Sequence, residues 1–378
     1  MPDSAATTAD GEMNAYFDDL QGKHLDALWR GRPPAQNNTG RKAAYEPFHW
    51  AWSEIRPALM RAGELVTPGP DAERRVIQFI NPHLPGFRSA SHTLTGNVQL
   101  VLPGEISPSH RHSVAAIRFI IEGSSAITVV EGEPIEMFPG DLVLTPGGYW
   151  HGHVNKSDQP AIWMDSLDRP LVGNLKQTFQ EPYGERLQVS TKVADAGLSR
   201  FGAGGMLPLD RKLNAGPVSP VMRYPWEQTR VALDRLAVAY ADPFDDVAMD
   251  YVNPSTGGHV LPTIGCRMQM LRPNVHTRAH RHAHVSVHHA FRGEGVTIID
   301  GAEIRWKAGD FFVIPPWSWH EHINTGGDKA YLFSTMDAPV LDALHLAAEE
   351  SFEDNNGRQR TPRVDALLPE SHTARASA

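Results

Sequence analysis

Ser109-His110-Arg111-His112, answered downstream by Trp150-His151-Gly152-His153, recurs as Ala279-His280-Arg281-His282 answered by Trp319-His320-Glu321-His322. The second copy follows the first by 170 residues at the front (110 to 280) and 169 at the back (151 to 320), so the copies differ by a single deletion. Each places a glycine, Gly123 or Gly293, 11 residues after its His-x-His pair. Each then runs through a Gly-Asp turn, a short apolar strand and a proline before Trp-His-x-His. An internal duplication is the simplest reading, and it predicts two similar halves.

Around these blocks the hydrophobic period is two. Runs near Val98–Leu102, Ile117–Ile121, Ile127–Val130, Leu142–Leu144 and Ile162–Ser166 are β-rich and broken by Gly, Pro and Asp. Arg267–Leu271, Ser286–Phe291, Val296–Ile299, Phe311–Ile314 and Tyr331–Ser334 repeat the rhythm. Short strands at this spacing indicate a sandwich or small barrel. The expected organisation is a tail and helical arm over 1–85, a first barrel over 86–175, a connector with a helix over 176–255, a second barrel over 256–345 and a polar, partly mobile tail over 346–378. Within the arm, the first dozen residues read as disordered. Ala15 to Trp29 and Trp50 to Met60 carry helical spacing, separated by a linker at Pro33-Pro34, and the connector is amphipathic from Trp226 to Ala239.

With 378 residues, 41 % of them apolar, the chain can bury two cores. A formal charge of −9 and the lack of a basic run argue against nucleic acid or an anionic membrane as partner. The single cysteine, Cys266, excludes an internal disulfide and any multi-cysteine metal site. No secretory start and no long apolar span is present, so a cytoplasmic protein is expected.

Side chains two apart share a strand face, so His110 and His112 project together and His151 can join them from a neighbouring strand. A lone His-x-His pair is commonly a surface pair. The third histidine and the recurrence of the whole block point instead to a site for zinc, iron, copper or nickel. His280, His282 and His320 form a second candidate triad.

Pro108-Ser109-His110-Arg111-His112, Gly123, Pro139-Gly140-Asp141 and His151 resemble the paired motifs of the cupin superfamily. Many cupins carry a glutamate ligand seven residues before the motif glycine. Ala116 and Ser286 stand there, so each cluster is limited to three neutral histidines. Such a set leaves the charge of a divalent ion uncancelled, which favours an anionic chelating substrate.

Further stretches are similar to the gentisate 1,2-dioxygenase family: Ala72-Glu73-Arg74-Arg75-Val76, Gln99 to Glu105, Ala116 to Ile120, Tyr251 to Gly258 and Trp319 to His322. The likeness runs from about Tyr16 to Leu344. It implies a mainly β bicupin of two small β-barrels, each a double-stranded β-helix. It also implies a homotetramer that uses Fe(II) and O2 to open the ring of gentisate, a substituted salicylate or 1-hydroxy-2-naphthoate. His110, His112 and His151 would bind the iron. Arg118 would hold the substrate carboxylate, or else form a surface ion pair. Gln99 would contact substrate, and His153 would donate to substrate or oxygen, or else be a satisfied core histidine. Asp165 would orient such a group, and Arg74 is a further substrate candidate, although a connector arginine is usually solvated. Thr95 stands where gentisate enzymes commonly have an aromatic residue, and Gly152 where they have aspartate, which alters the pocket and leaves the substrate open. His288 occupies the position matching Arg118, so no arginine is expected to face the second cavity, and the second cupin is expected to be structural or to bind metal without turnover. The rival reading is a non-catalytic metal-binding bicupin. A zinc-dependent sugar isomerase is disfavoured by Ala116 and Ser286.

Overall fold

A computed structural model describes residues 4–30, 41–67, 74–209 and 216–361. The chain divides into two units, Met1–Lys42 and Ala43–Ala378. In the first, α1 (Ser4–Gly22) covers most of the dozen residues expected to be disordered. Alanines at 5, 6, 9 and 15 supply the helix propensity that their polar neighbours mask. The expected linker at Pro33-Pro34, and Ala72-Glu73, lie outside the described residues.

The second unit opens with β1 (Phe48–Trp50), α2 (Trp52–Leu65) and β2 (Arg75–Gln78), so the segment expected to be a helical arm also contributes two strands. Then come β3 (Asn97–Val101), β4 (Ile106–His112), β5 (Ala116–Glu122), β6 (Ala126–Val130), β7 (Glu133–Met137), β8 (Leu142–Thr145), β9 (His151–Asn155) and β10 (Ala161–Leu167). The stretch to the second repeat holds α3 (Arg169–Asn174), β11 (Gln180–Pro182), α4 (Ala196–Phe201), β12 (Arg223–Tyr224) and α5 (Trp226–Ala239). The second repeat comprises β13 (Val247–Asp250), β14 (Gly265–Leu271), β15 (His280–His282), β16 (Ser286–Arg292), β17 (Glu294–Ile299), β18 (Ala302–Lys307), β19 (Phe311–Ile314), β20 (His320–Asn324) and β21 (Ala330–Met336). It ends with α6 (Ala338–Ala343) and β22 (Glu349–Ser351).

Each half is a pair of antiparallel sheets, the jelly-roll form of the cupin fold. The first half has the orders β12-β8-β5-β10-β3-β2 and β11-β4-β9-β6-β7. The second has β1-β19-β16-β21-β14-β13 and β18-β17-β20-β15-β22. The two sheets of the first half face each other closely enough that the rings of His153 on β9 and Trp163 on β10 are 5.2 Å apart. Among the described residues, strand pairing does not close either pair into a continuous barrel. β1, from ahead of both repeats, completes the second half by pairing with β19. The polar tail also supplies β22, which pairs with β15.

The motif glycines explain their own spacing. Gly123 has φ of +87° and a Cβ there would meet the Pro160 carbonyl oxygen at 2.5 Å; Gly293 has φ of +85° and would meet Ala330 Cβ at 2.6 Å. Both turns require a residue without a side chain. The halves join through one core, in which Phe119 stacks on Phe333 at 4.2 Å. Two reciprocal hydrogen bonds flank it: Thr93 donates to Asp337 at 2.7 Å and Thr263 donates to Asp168 at 2.6 Å. The other oxygens of these aspartates accept the Val285 and Ala115 N–H groups. The duplication is thus visible as an approximate twofold relation. Among the described residues no helix is long and apolar enough to cross a membrane.

His289 is fully buried in that core, its ring 4.5 Å from Phe311, and burial pushes its pKa down to about 3. Folded, it stays neutral to that pH, whereas in the unfolded chain it protonates near 6.5. Its contribution to stability is therefore complete above pH 6.5 and is lost as the pH falls from there toward 3. Replacing His289 by Leu should flatten the acid side of the stability curve by up to about 1.4 kcal/mol per pH unit. Chemical denaturation between pH 7 and 4.5 measures this, and parallel curves for the two proteins would contradict it.

Candidate active site

β4 and β9 run antiparallel with His110 opposite His151. The period of the strand brings His112 to the same face. The three ring centroids are 5.3, 4.2 and 4.8 Å apart, and one nitrogen from each ring falls within 4.8 Å of the others. The backbone sets the tautomers. His110 Nδ1 lies 2.9 Å from the Pro108 carbonyl, His112 Nδ1 2.7 Å from that of Val114, and His151 Nδ1 3.0 Å from that of Tyr149. A carbonyl only accepts, so each Nδ1 carries the proton and each Nε2 keeps its lone pair. This arrangement orients imidazole ligands toward a metal.

The fit is supported by His151, whose buried Nε2 has no hydrogen-bond partner among the described residues. A buried lone pair left without a partner is costly unless a ligand takes it. Burial, then the Arg74 charge, pushes the His110 pKa down to about 3, and burial lowers His112 to about 4. Burial and then the Arg118 charge also hold His151 well below its ordinary value. All three rings are neutral at neutral pH, as metal ligation requires.

Beside His112 opens a cavity of about 270 Å3 whose walls include Arg74, Gln99, Ala116, Arg118 and Asp165. A larger hollow of about 520 Å3 lies elsewhere, between Glu133, Tyr149, Lys192 and Phe201, and contains no histidine triad. The ligand set and the converging charges single out the smaller one.

The cupin domain family matches residues 97–167 and 267–336. A 5-aminosalicylate 1,2-dioxygenase of Comamonas sp is 40% identical over 93% of this chain and 92% of its own length. Gentisate 1,2 dioxygenase 1 of Aquipseudomonas alcaligenes is 39% identical over 88% and 94%. The crystal structure of salicylate 1,2-dioxygenase from Pseudoaminobacter salicylatoxidans in its adduct with gentisate superposes with a TM-score of 0.83 at 32% identity, covering 90% of this chain and 93% of that one. The chain belongs to the gentisate 1,2-dioxygenase family. It is an aromatic ring-cleaving dioxygenase with two cupin domains.

Within this dioxygenase the residues singled out from sequence fall as follows. Arg118, on β5, is buried. Its Nε is 3.3 Å from Asp165 Oδ1 and its Nη1 donates to Thr145 Oγ1. It forms a buried ion pair on the cavity wall, and the surface pair is excluded. Asp165 also accepts from the Trp163 indole N–H at 3.2 Å, so its side chain meets Arg118 and Trp163, whereas the sequence had it orienting a group such as His153. Gln99 and His153 are buried, and Gln99 Nε2 and both His153 ring nitrogens lack a hydrogen-bond partner among the described residues. His153 is thus not a satisfied core histidine. Arg74 is not a solvated connector residue: its Nη2 is 2.8 Å from His110 Nδ1 and closer still to Nε2. Val76, Gln78, Asn97 and Arg169 also stand on the cavity wall and were not singled out from sequence. Asn97 had a signal, since it stands two residues before Gln99 on one strand.

The second triad repeats the geometry, with ring centroids 5.7, 4.2 and 4.7 Å apart and His280 opposite His320. Its surroundings differ. Gln269, the counterpart of Gln99, donates to the Asp245 carbonyl at 2.9 Å, and His322, the counterpart of His153, pairs with Thr297 at 2.9 Å. His288 stands in the Arg118 position, as expected. An arginine does share the sheet face of Gln269, however: Arg267, bonded to Asp250 at 2.7 Å and Asp245 at 3.0 Å. Gln269 and His322 are thus engaged within the second half, whereas Gln99 and His153 in the first are open to a ligand; His280 Nδ1 and His288 Nδ1 are left without a partner among the described residues.

Arg74 places a cation against a metal-facing nitrogen, and a divalent ion must displace or repel it. Arg74→Ala should therefore tighten Co(II) binding at the first triad by roughly tenfold, the effect of about 1.4 kcal/mol of relieved repulsion. Calorimetric titration measures it, and an unchanged affinity would show that Arg74 swings clear at no cost.

Proposed function

We propose that His110, His112 and His151 hold ferrous iron and that this half opens the ring of a 2-hydroxybenzoate-type acid between its carboxyl- and hydroxyl-bearing carbons. The acid is gentisate or a 5-substituted salicylate. Both atoms of O2 enter the product as the ring bond breaks, so no external reductant is consumed. The observation that carries this reading is the open Gln99 and His153 beside Arg118 at the first triad, against the engaged Gln269 and His322 in the second. Iron bound there would supply coordination sites for the chelating acid and for dioxygen, and a path for electrons between them.

The chain's own residues do the rest. Arg118 has five N–H donors and spends one, on Thr145, while its Nε faces Asp165 as an ion pair without a hydrogen bond, which leaves donors for the substrate carboxylate. Asp165 fixes the plane of that guanidinium. Gln99 Nε2 offers a further donor, and Arg74 a second cation for an acid arriving at the cavity. Burial and then the Arg118 charge keep His153 neutral, so it has one lone pair to receive the substrate hydroxyl proton and one N–H to donate. His280, His282 and His320 hold a second metal without turnover, because Asp245 and Asp250 oppose an anionic substrate. The family resemblance implies a homotetramer. The cytoplasm, where buried Cys266 stays reduced, suits this enzyme.

Oxygen uptake by the iron-loaded protein with gentisate, salicylate, 5-substituted salicylates and 1-hydroxy-2-naphthoate tests the proposal. At least one acid should consume O2 in a 1:1 ratio, and Arg118→Ala should raise its KM by about 10- to 100-fold, the loss of a charge-assisted hydrogen bond. An inert panel, or an unchanged KM, would contradict it.

A further inference from the structure

Thr95 lies just ahead of β3, almost wholly buried, and lines the same cavity as His112 and Ala116. The sheet fixes its place. Leu167 on β10 pairs with Ala116 on β5, and the Thr95 N–H donates to the Leu167 carbonyl at 2.8 Å. Thr95, Leu167 and Ala116 therefore form one row across neighbouring strands. Two strand spacings put Thr95 about 10 Å from Ala116 across the sheet that walls the cavity.

The neighbours of its hydroxyl decide what it can do. Leu167 N–H donates to Thr95 Oγ1 at 3.2 Å and Asn97 Nδ2 donates to it at 3.0 Å. Both lone pairs are used, and only the hydroxyl proton remains. Among the described residues no acceptor for that proton is found. Arg169, the first residue of α3, stands on the same cavity wall and is also a donor without accepting capacity. This part of the cavity thus calls for a hydrogen-bond acceptor. The second half has Gly265 at the matching position and no hydroxyl there.

We propose that Thr95 is a specificity-determining residue which donates its hydroxyl proton to an oxygen-bearing substituent at ring position 5, the position para to the chelating hydroxyl. The inference rests on the ring-cleaving reading above, which places the carboxylate and 2-hydroxyl at the triad and so sends the opposite edge of the ring toward Thr95. It selects salicylates bearing a 5-hydroxyl or 5-nitro group over those bearing a hydrocarbon group of the same size.

The test compares kcat/KM for gentisate and 5-methylsalicylate, which differ in a hydroxyl against a methyl, in the full-length iron-loaded enzyme and its Thr95→Val variant. Dividing one preference by the other cancels the electronic effect of the substituent on the ring. The valine variant should lose roughly three- to tenfold of the preference for gentisate, the range of one net hydrogen bond, and Thr95→Ser should keep it. A ratio unchanged by valine overturns the proposal, as does a serine variant that behaves like valine. Valine strands the Leu167 and Asn97 donors. If circular dichroism shows that it does not fold, Thr95→Ala, which leaves room for a water at those donors, carries the same comparison. If the unaltered enzyme consumes oxygen with no acid at all, the ring-cleaving reading has failed, which is a different result from an unchanged ratio.

Discussion

The site depends on one register, the antiparallel pairing of β4 with β9 that sets His110 opposite His151. A slip of one residue would turn His151 to the other face and bring Gly152 inward, and no triad could form. The pairing also positions the carbonyls of Pro108, Val114 and Tyr149 to fix all three tautomers, so backbone geometry presents three lone pairs to one point. The second half repeats the pairing through His280 and His320 but fixes fewer of its rings: His282 and His320 donate to backbone carbonyls, while His280 Nδ1 has no partner among the described residues.

Given two equivalent triads, chemistry is decided by what surrounds them. In the first half a guanidinium is buried with a single carboxylate, and a glutamine and a histidine are left with unused capacity. Burying polar groups without partners is costly, and that cost is recovered when a ligand supplies them. In the second half the glutamine is paired with Asp245 and the histidine with Thr297, and Asp245 and Asp250 hold Arg267, which leaves less to offer an aromatic acid. The duplication therefore supplied two triads that could hold a metal, and the polar side chains between the sheets differ around them.

Much of this was legible in the sequence because strand chemistry is local. The two-residue period put His110 and His112 on one face and Arg118 on the wall, and the constant distance to Gly123 and Gly293 marked turns that only glycine can make. The strands around Ile117, Leu142, Ile162 and their repeats fall where periodicity put them. What was hidden depends on contacts between distant segments. The pairing of β1 with β19, the approach of Arg74 to His110, and the two aspartates that occupy Arg267 are set by tertiary packing, and no spacing announces them. Thr95 could be recognised as a departure, but its hydrogen-bond role follows only from the partners that Leu167 and Asn97 become in the folded sheet.

The central claim is that one triad is catalytic and the other is not. Metal content and oxygen uptake in the His151→Ala and His320→Ala variants, measured side by side with the best aromatic acid, test it most directly. Each variant should lose about one metal per chain, and only His151→Ala should lose oxygen uptake. Loss of uptake in His320→Ala with the first metal still bound, or its survival in His151→Ala, would contradict the account.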